Sequence, residues 1–269
     1  MIIYRYATYT DYSDIAAIHA INWQQNYQDV LSATYLADEV HEDRKQVWQD
    51  RMGLSKASQY VIVAIDEDQV IGFACAFLDY DKVHGHYLDN LHVREAYQGQ
   101  GVGRTLTHHI AQIIQQKSKD NRLFLWVFQK NVKAIRTYKN WGGQIGETEH
   151  LDMPSGGGGG IATRISWGDS SSLVSDKYPE IVQPTYVPVD CNKYDHFEIA
   201  AMRRQDIKVI FKDYPSPYSG KIKTLTIDQK VEYLITSDSH KIRLDRIAQL
   251  LDSQGKLITE FGDDASCHL

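Results

Sequence analysis

Gln98-Gly99-Gln100-Gly101-Val102-Gly103-Arg104 is the stretch whose residue types and spacing are best suited to chemistry. Glycine lets the main chain approach a ligand without a Cβ in the way. If a helix follows, its first amides lack intrahelical acceptors and sit at the positive end of the helix dipole, which makes an anion site. The chemistry so implied is backbone retention of a pyrophosphate. Two phosphate loops are excluded by spacing: no Gly-Lys-Ser/Thr is present, and Gly99, Gly101 and Gly103 do not make Gly-x-Gly-x-x-Gly. Taken alone, the stretch also fits a tight strand-to-helix turn that uses glycine for its geometry, and both readings stand at this point.

Ionisable groups lie close by. Asp89 and His92 belong to one apolar-rich run, His86 to Val93. In a regular strand they point to opposite faces, so only one reaches a shared cleft unless a bulge intervenes. Imidazole titrates in a range useful for a base; a solvated carboxylate is a poor base for an ammonium. A packed, hydrogen-bonded histidine and deprotonation by water are the alternatives. His84-x-His86 offers two metal ligands with no third nearby, so no metal site is expected. His108-His109 reads as helix surface. The chain has no Ser/His/Asp or Cys/His arrangement, and its three cysteines, Cys75, Cys191 and Cys267, are widely spaced, which argues against a disulfide framework and for a reducing compartment.

The elements that must position these groups follow from periodicity. Ile2 to Ala7 alternates as a first strand. Thr10-Asp11 caps a helix carrying Ile15, Ile18, His19 and Trp23, and Ser32 caps a second running towards Arg51. Tyr60–Ile65 and Val70–Leu78 form a hairpin about Asp66-Glu67-Asp68. His86–Val93 is the strand before the loop. Leu106, Ile110, Ile113 and Ile114 recur at helical spacing after it. Arg122–Val127 is a buried strand, and Asn131 caps a short helix through Tyr138 that Gly142-Gly143 stops. Gln144–Met153 and Ile161–Trp167 are two further strands around Pro154-Ser155 and five glycines, a run read as the tip of the last hairpin and not as an interdomain linker.

Gln98-x-x-Gly101-x-Gly103 matches Gln/Arg-x-x-Gly-x-Gly/Ala, and with Leu88-Asp89-Asn90-Leu91-His92-Val93 and Asn131-x-x-Ala134-x-x-x-Tyr138 it resembles the GNAT N-acetyltransferase family over Met1 to Trp167. The resemblance implies an α+β fold, a mixed central sheet with flanking helices, and acetyl-CoA as cofactor. It implies that Gln98, Gly99, Gln100, Gly101, Val102, Gly103 and Arg104 hold the pyrophosphate. Leu91, His92 and Val93 would pair with the pantetheine arm, with Asn131, Ala134 and Tyr138 also on the cofactor. Tyr138 stands where the family has the general acid for the departing thiolate, and an unperturbed phenol is protonated at neutral pH. Asp89 and His92 are the candidate bases. The acceptor side is expected at Trp23, Tyr27 and Asn90; aromatic packing between two helices is the other reading of Trp23 and Tyr27.

The character of the chain changes after the polar stretch Gly168–Ser172. The expected boundaries are an acetyltransferase-like domain at 1–168, a linker at 169–184 and a second domain at 185–269. One helix over His196–Met202 and short strands at Ile207–Phe211, Ser219–Ile227, Val231–Thr236 and His240–Ile247 imply a small barrel. Tyr186, Pro188, Cys191, Tyr194 and Asp195, spaced as Tyr-x-Pro-x-x-Cys-x-x-Tyr-Asp, together with Val231-Glu232-Tyr233-Leu234 and Ile242 to Ile247, resemble the Rof family. Rof proteins modulate Rho-dependent transcription termination by binding Rho, so the resemblance implies an Sm-like β-barrel with an N-terminal helix, and a Rho-binding surface at Asp190, Asp195 and Glu198. Lys193, Arg203 and Arg204 depart from the uniformly acidic surface of that family. Tyr194 and Phe197 read as core.

A net charge of −6 gives no basic excess of the kind nucleic-acid binders show, so direct nucleic-acid binding is not favoured, though an RNA-binding barrel stays open. The first residues are too polar for a signal peptide and no apolar run reaches spanning length, so a cytoplasmic bacterial protein without membrane contact is expected. The expected function is acetyl transfer from acetyl-CoA to an amine of a small molecule or protein. The alternative is a non-catalytic, acyl-CoA-responsive regulator of Rho-dependent termination.

Overall fold

Gln69–Asp81 is apolar on both faces and buried along most of its length, and the first sheet is built around it. The computed structural model describes residues 1–153, 156–183 and 185–262. They divide into two compact units: Met1–Trp48 with Ser58–Val182, and Gln49–Ala57 with Gln183–Leu269. The strands of the first unit are β1 (Ile3–Tyr6), β2 (Gln59–Asp66), β3 (Gln69–Asp81), β4 (Gly85–Val93), β5 (Leu123–Phe128), β6 (Gln144–Met153) and β7 (Gly158–Trp167), in one sheet of order β1-β2-β3-β4-β5-β7-β6. Only β4 and β5 run parallel, so the sheet is mixed. Its helices are α1 (Tyr12–Asn26), α2 (Val40–Gly53, of which the residues as far as Trp48 belong to this unit), α3 (Val102–Lys117) and α4 (Val132–Asn140). This is the expected α+β architecture.

Helix α3 covers one face of the sheet because Leu106, Ile110 and Ile114 recur on a single stripe, and all three are fully buried with Ile62, Ile71 and Leu125. Each such side chain contributes roughly 1.5–3 kcal/mol, a large fraction of the ~5–15 kcal/mol that holds a domain folded. Helix α2 is entered through a π-helical turn, Tyr35–Glu39, and Ser32 Oγ accepts from the Tyr35 amide at 3.2 Å. The glycine run is hairpin, as the sequence suggested: Gly158, Gly159 and Gly160 lie in β7 opposite Met153, Asp152 and Leu151. Pro154 and Ser155 lie outside the described residues.

One expectation is corrected. His108 and His109 are buried, not helix surface. Periodicity places them off the apolar stripe of α3, but residues beyond β7 fold back over that side. A turn at Ser170–Leu173 buries Leu173, the Ser175 amide donates to His108 Nδ1 at 3.2 Å, and Tyr178 lies 4.8 Å from the His108 ring. The Val182 amide then donates to the Tyr4 carbonyl at 2.7 Å.

The second unit contains α5 (Cys191–Met202) and strands β8 (Asp206–Phe211), β9 (Tyr218–Asp228), β10 (Val231–Thr236), β11 (Lys241–Arg243), β12 (Ile247–Asp252) and β13 (Leu257–Glu260). The strands form a separate sheet of order β11-β10-β9-β8-β12-β13. Asp190 caps α5 by accepting from the Asn192 amide at 2.9 Å, and Phe197 on that helix is fully buried. The strand expected over His240–Ile247 is broken by a turn at Leu244–Arg246. There Leu244 enters the core and Asp245 takes both Arg243 Nε and Nη2, at 3.0 and 2.6 Å. Strands β12 and β13 were not anticipated. Cys75 is buried and Cys191 exposed, while Cys267 lies outside the described residues. Among the described residues no helix is long and apolar enough to cross a membrane.

Candidate functional site

The site begins as a parting of two strands. β4 pairs with β5 only at His86–Leu123 and Tyr87–Phe124, after which β5 stays with β7 and β4 with β3. From Leu88 onward β4 therefore turns an unladdered backbone edge towards the gap, and such an edge recruits any ligand that can supply amide-like partners. A cavity of about 620 Å³ opens there, lined by α1, β4, β5, β6, α4 and the loop before α3.

A bulge decides which side chains enter it. Ala76 pairs with Leu88 and Cys75 with Asn90, so Asp89 is the extra residue on β4. The bulge offsets the two-residue alternation, and Asp89, Asn90 and His92 all line the cavity. The expectation that a regular strand would divide Asp89 from His92 is overtaken by this local geometry. The Tyr87 phenol is pushed up by burial and by the charge of Asp89 beside it.

His92 lies in an aromatic stack. Its ring sits 4.7 Å from His19 and 5.3 Å from Phe73. His19 Nδ1 accepts from Trp48 Nε1 at 2.9 Å, which fixes the His19 tautomer with its proton on Nε2. Burial pushes the His92 imidazole down to about 4. It is therefore neutral at physiological pH and able to accept a proton. Tyr138 lies among Trp141 and Trp167, with ring centroids at 5.7 and 6.2 Å. Burial, then the neighbouring Tyr27, pushes its phenol well above the usual range, so it keeps its proton and can donate. Tyr27 is itself pushed up to about 12 by burial and by Asp89.

At the other end the main chain supplies the groups. Gly99 and Gly101 have φ of 78° and 88°, values that L side chains rarely adopt. Gly101 is the N-cap of α3, so the amides that follow it open the helix without intrahelical acceptors. Gln98 ties the loop down: its Nε2 donates to the Val93 carbonyl at 3.0 Å and its Oε1 accepts from Lys133 Nζ at 2.7 Å. Arg104 lies 5.4 Å over the Trp141 ring, and its Nη1 is buried with no hydrogen-bond partner among the described residues. Asn131 caps α4, its Oδ1 accepting from the Ala134 amide at 3.1 Å.

These features fit an acyl-CoA. An orphaned buried guanidinium nitrogen and free helix-start amides suit a pyrophosphate, and the open β4 edge suits an amide-bearing arm. Of the residues singled out from the sequence, Leu91, His92, Val93, Gln98, Gly99, Gly101, Val102, Gly103, Arg104, Asn131, Ala134 and Tyr138 all line the cavity, as do Trp23, Tyr27, Asp89 and Asn90. Gln100 does not; it is exposed and donates to the Ala96 carbonyl at 2.7 Å. Sequence reasoning missed Tyr87, Trp126, Phe128 and Met153 on the lining, and His19 behind His92. Alternation along β5 pairs Trp126 with Phe128 on one face and was the available signal; nothing local marks Met153. His84 and His86 have structural roles. His84 contacts Arg164, and His86 Nδ1 accepts from the Asp79 amide at 2.9 Å while Nε2 lies 2.7 Å from the Asp120 carbonyl. In the second unit, Asp195 and Glu198 are exposed on α5 and Asp190 is half-buried at its cap.

Comparison with known proteins agrees with both resemblances. Residues 15–142 match the Acetyltransferase (GNAT) family, and residues 188–259 match the family described as Modulator of Rho-dependent transcription termination (ROF). The Spermine/spermidine N(1)-acetyltransferase of Bacillus subtilis is 32% identical over 84 residues, which cover 29% of this chain and 55% of that protein. The uncharacterized N-acetyltransferase YuaI of Bacillus subtilis is 28% identical over 138 residues, covering 50% and 76%. The chain thus spans about half the length of the first of these relatives. The crystal structure of PaiA N-acetyltransferase from Thermoplasma acidophilum in complex with coenzyme A shares the fold, with a TM-score of 0.50 at 18% identity over 61% of this chain and 98% of that one.

Proposed function

We propose that the region bearing the GNAT match transfers an acetyl group from acetyl-CoA to the nitrogen of an amine acceptor. The observation that supports this reading is the cavity at the parted β4 and β5, onto which the bulged strand with Asp89 and His92, the Tyr138 phenol and the glycine loop all open.

Acetyl-CoA supplies an acyl thioester, a carbon that a neutral amine attacks and a sulfur that leaves as thiolate. The chain's own residues supply position and protons. The amides after Gly101 and the Arg104 guanidinium hold the pyrophosphate, with Gln98 and Lys133 bracing the loop. The open edge at Leu91–Val93 aligns the arm, and Asn131 and Ala134 flank it on α4. Orientation of this kind supplies much of the rate. The acceptor nitrogen becomes strongly acidic as it bonds to carbon, so even a base depressed to about 4, His92, takes its proton directly or through water. Tyr138, held protonated, donates to the departing sulfur. Titration with acetyl-CoA, followed by thiol release with an amine panel, tests the reading; no cofactor binding at millimolar concentration would end it. A non-catalytic acyl-CoA-responsive regulator would bind cofactor and release no thiol.

For the second region we propose a small Sm-like barrel that docks on a protein partner, with Rho in the bacterial cytoplasm as that partner. The return of β12 to pair with β8, and the bulge at Lys223 of β9 opposite Ile235 and Thr236, support a sheet that curls. Asp190, Asp195 and Glu198 present carboxylates from the start and outer face of α5, a charge pattern suited to a basic partner. Residues expected as a linker, from 169 as far as Val182, belong to the first unit; carriage of both regions on one chain would still bring transfer close to the partner's lysines. Pull-down from a bacterial lysate with and without nuclease separates Rho from RNA as the bound species.

A further inference from the structure

The two ends of the cavity differ in charge. The basic side chains on the lining are Arg104 and Lys133. Both belong to the loop end, Arg104 on α3 and Lys133 against Gln98. The imidazole of His92 is neutral. Among the described residues, the opposite end, made by α1, the first part of β4, β5 and β6, contains one carboxylate, Asp89, and no cation on its lining. Arg44 comes near but is spoken for: it lies 4.3 Å over the Trp23 ring, its Nη2 is 2.5 Å from Asp43, and it does not line the cavity.

Around Asp89 the walls are aromatic. Tyr27 packs edge-on to Phe128 with centroids 5.2 Å apart and tilts against Trp23 at 5.7 Å. Tyr87 stacks on Phe124 at 5.1 Å. Asp89 is half-buried on the lining, and Tyr27 on α1 and Tyr87 on β4 both feel its charge. Electron-rich ring faces beside a carboxylate recognise an alkylammonium, through cation–π attraction and a charge-assisted hydrogen bond. Among the described lining residues the same end offers an anion no positive group, and an acceptor carboxylate placed there would meet the charge of Asp89.

Resting on the acetyltransferase reading, we infer that the acceptor is an aliphatic amine bearing a second, protonated nitrogen, an α,ω-diamine or longer polyamine, whose ammonium is held by Asp89 within the Tyr27, Tyr87 and Phe128 walls. Asp89 is then a specificity-determining residue, and proton removal from the reacting nitrogen falls to His92 or to water. In the transfer, the neutral distal nitrogen forms the new C–N bond and the C–S bond breaks. The thiolate takes the Tyr138 proton, one proton leaves the nitrogen, and the held ammonium is unchanged.

The test uses the full-length protein with saturating acetyl-CoA, reading thiol release, and three acceptors of matched length: 1,4-diaminobutane, n-butylamine and 4-aminobutanoate. The diamine is expected to exceed the monoamine in kcat/KM by roughly tenfold, and the amino acid by more, since both a lost partner and a repelled charge count against it. In Asp89→Asn the diamine-to-monoamine ratio is expected to fall to within about threefold, chiefly through KM for the diamine, with Asp89→Glu recovering part of it. A purely structural role for Asp89 would lower all three acceptors together. Wild-type preference for the monoamine or the amino acid overturns the inference, as does an unchanged ratio in Asp89→Asn. Either result with acetyl-CoA still bound and some amine still acetylated removes only this inference. Failure of acetyl-CoA to bind, measured separately by calorimetry, removes the acetyltransferase reading and this inference with it.

Discussion

At the loop end of the cavity the binding groups belong mostly to the main chain: the amides after Gly101 and the open edge of β4. At the other end they are side chains gathered from α1, β4, β5 and β6. The difference teaches where each end is vulnerable. A backbone cradle depends on dihedral angles and tolerates many side chains. An aromatic and carboxylate box depends on side-chain identity and tolerates backbone drift. Between the two sits Tyr138, whose phenol is meant for neither recognition task.

That position gives the largest expected effect. Tyr138→Phe keeps the ring among Trp141 and Trp167 and removes only the proton donor. It is expected to lower kcat by about 10²–10⁴-fold with acetyl-CoA affinity within about threefold of wild type; a matching loss of affinity would place Tyr138 in the cofactor cradle instead. Gly101→Val attacks the backbone end. At φ 88° a β-branched residue is strained by roughly 1–3 kcal/mol, so acetyl-CoA affinity by calorimetry is expected to fall about 10- to 100-fold while Gln100→Ala, off the lining, changes it little. Equal losses for both would remove the distinction between cradle and bystander.

Stability against pH probes two desolvated imidazoles, half-buried His92 and buried His108. His92 and His108 are both pushed down to about 4, from 6.5, chiefly by burial. Between those values the unfolded chain binds more protons than the folded one, so stability falls as pH falls through that window, by up to about 1.4 kcal/mol per pH unit for each histidine. Denaturant midpoints at pH 7, 6 and 5 check the slope, and His108→Gln should make it shallower; an unchanged slope removes His108 from the account. The smallest effect belongs to a side chain at the backbone end. Arg104→Ala should weaken acetyl-CoA about fivefold, the loss of one charge-assisted contact, with no change in the ranking of acceptors. A changed ranking would mean that the two ends are not separable.

Legibility followed the same division. The backbone end shows in sequence because the positive φ of Gly99 and Gly101 favours glycine, and the order of strands and helices around it is set by apolar periodicity. The bulge does not show. Leu88-Asp89-Asn90 contains no glycine, and the extra residue is visible only once Ala76 and Cys75 are seen opposite Leu88 and Asn90. Trp23 and Tyr27 were legible as an aromatic corner, whereas Met153 reaches the lining only because the β6–β7 hairpin brings it there. His108 and His109 were misjudged because a covering segment more than sixty residues later leaves no trace in the pattern of α3 itself. In the second unit, one turn at Leu244–Arg246 ended a strand early and hid the one after it.

The hydrogen bond from Val182 to Tyr4 closes the first unit's path on itself. Val182 bridges Arg5 in parallel, so the chain departs beside the strand with which it began. That strand is the outermost of its sheet, separated from the parting of β4 and β5 by β2 and β3. A pull on the departing chain therefore loads the Val182–Tyr4 hydrogen bond at β1 before it reaches the cavity. The unit is anchored at its rim, like a door fixed at the jamb with its lock in the middle of the leaf.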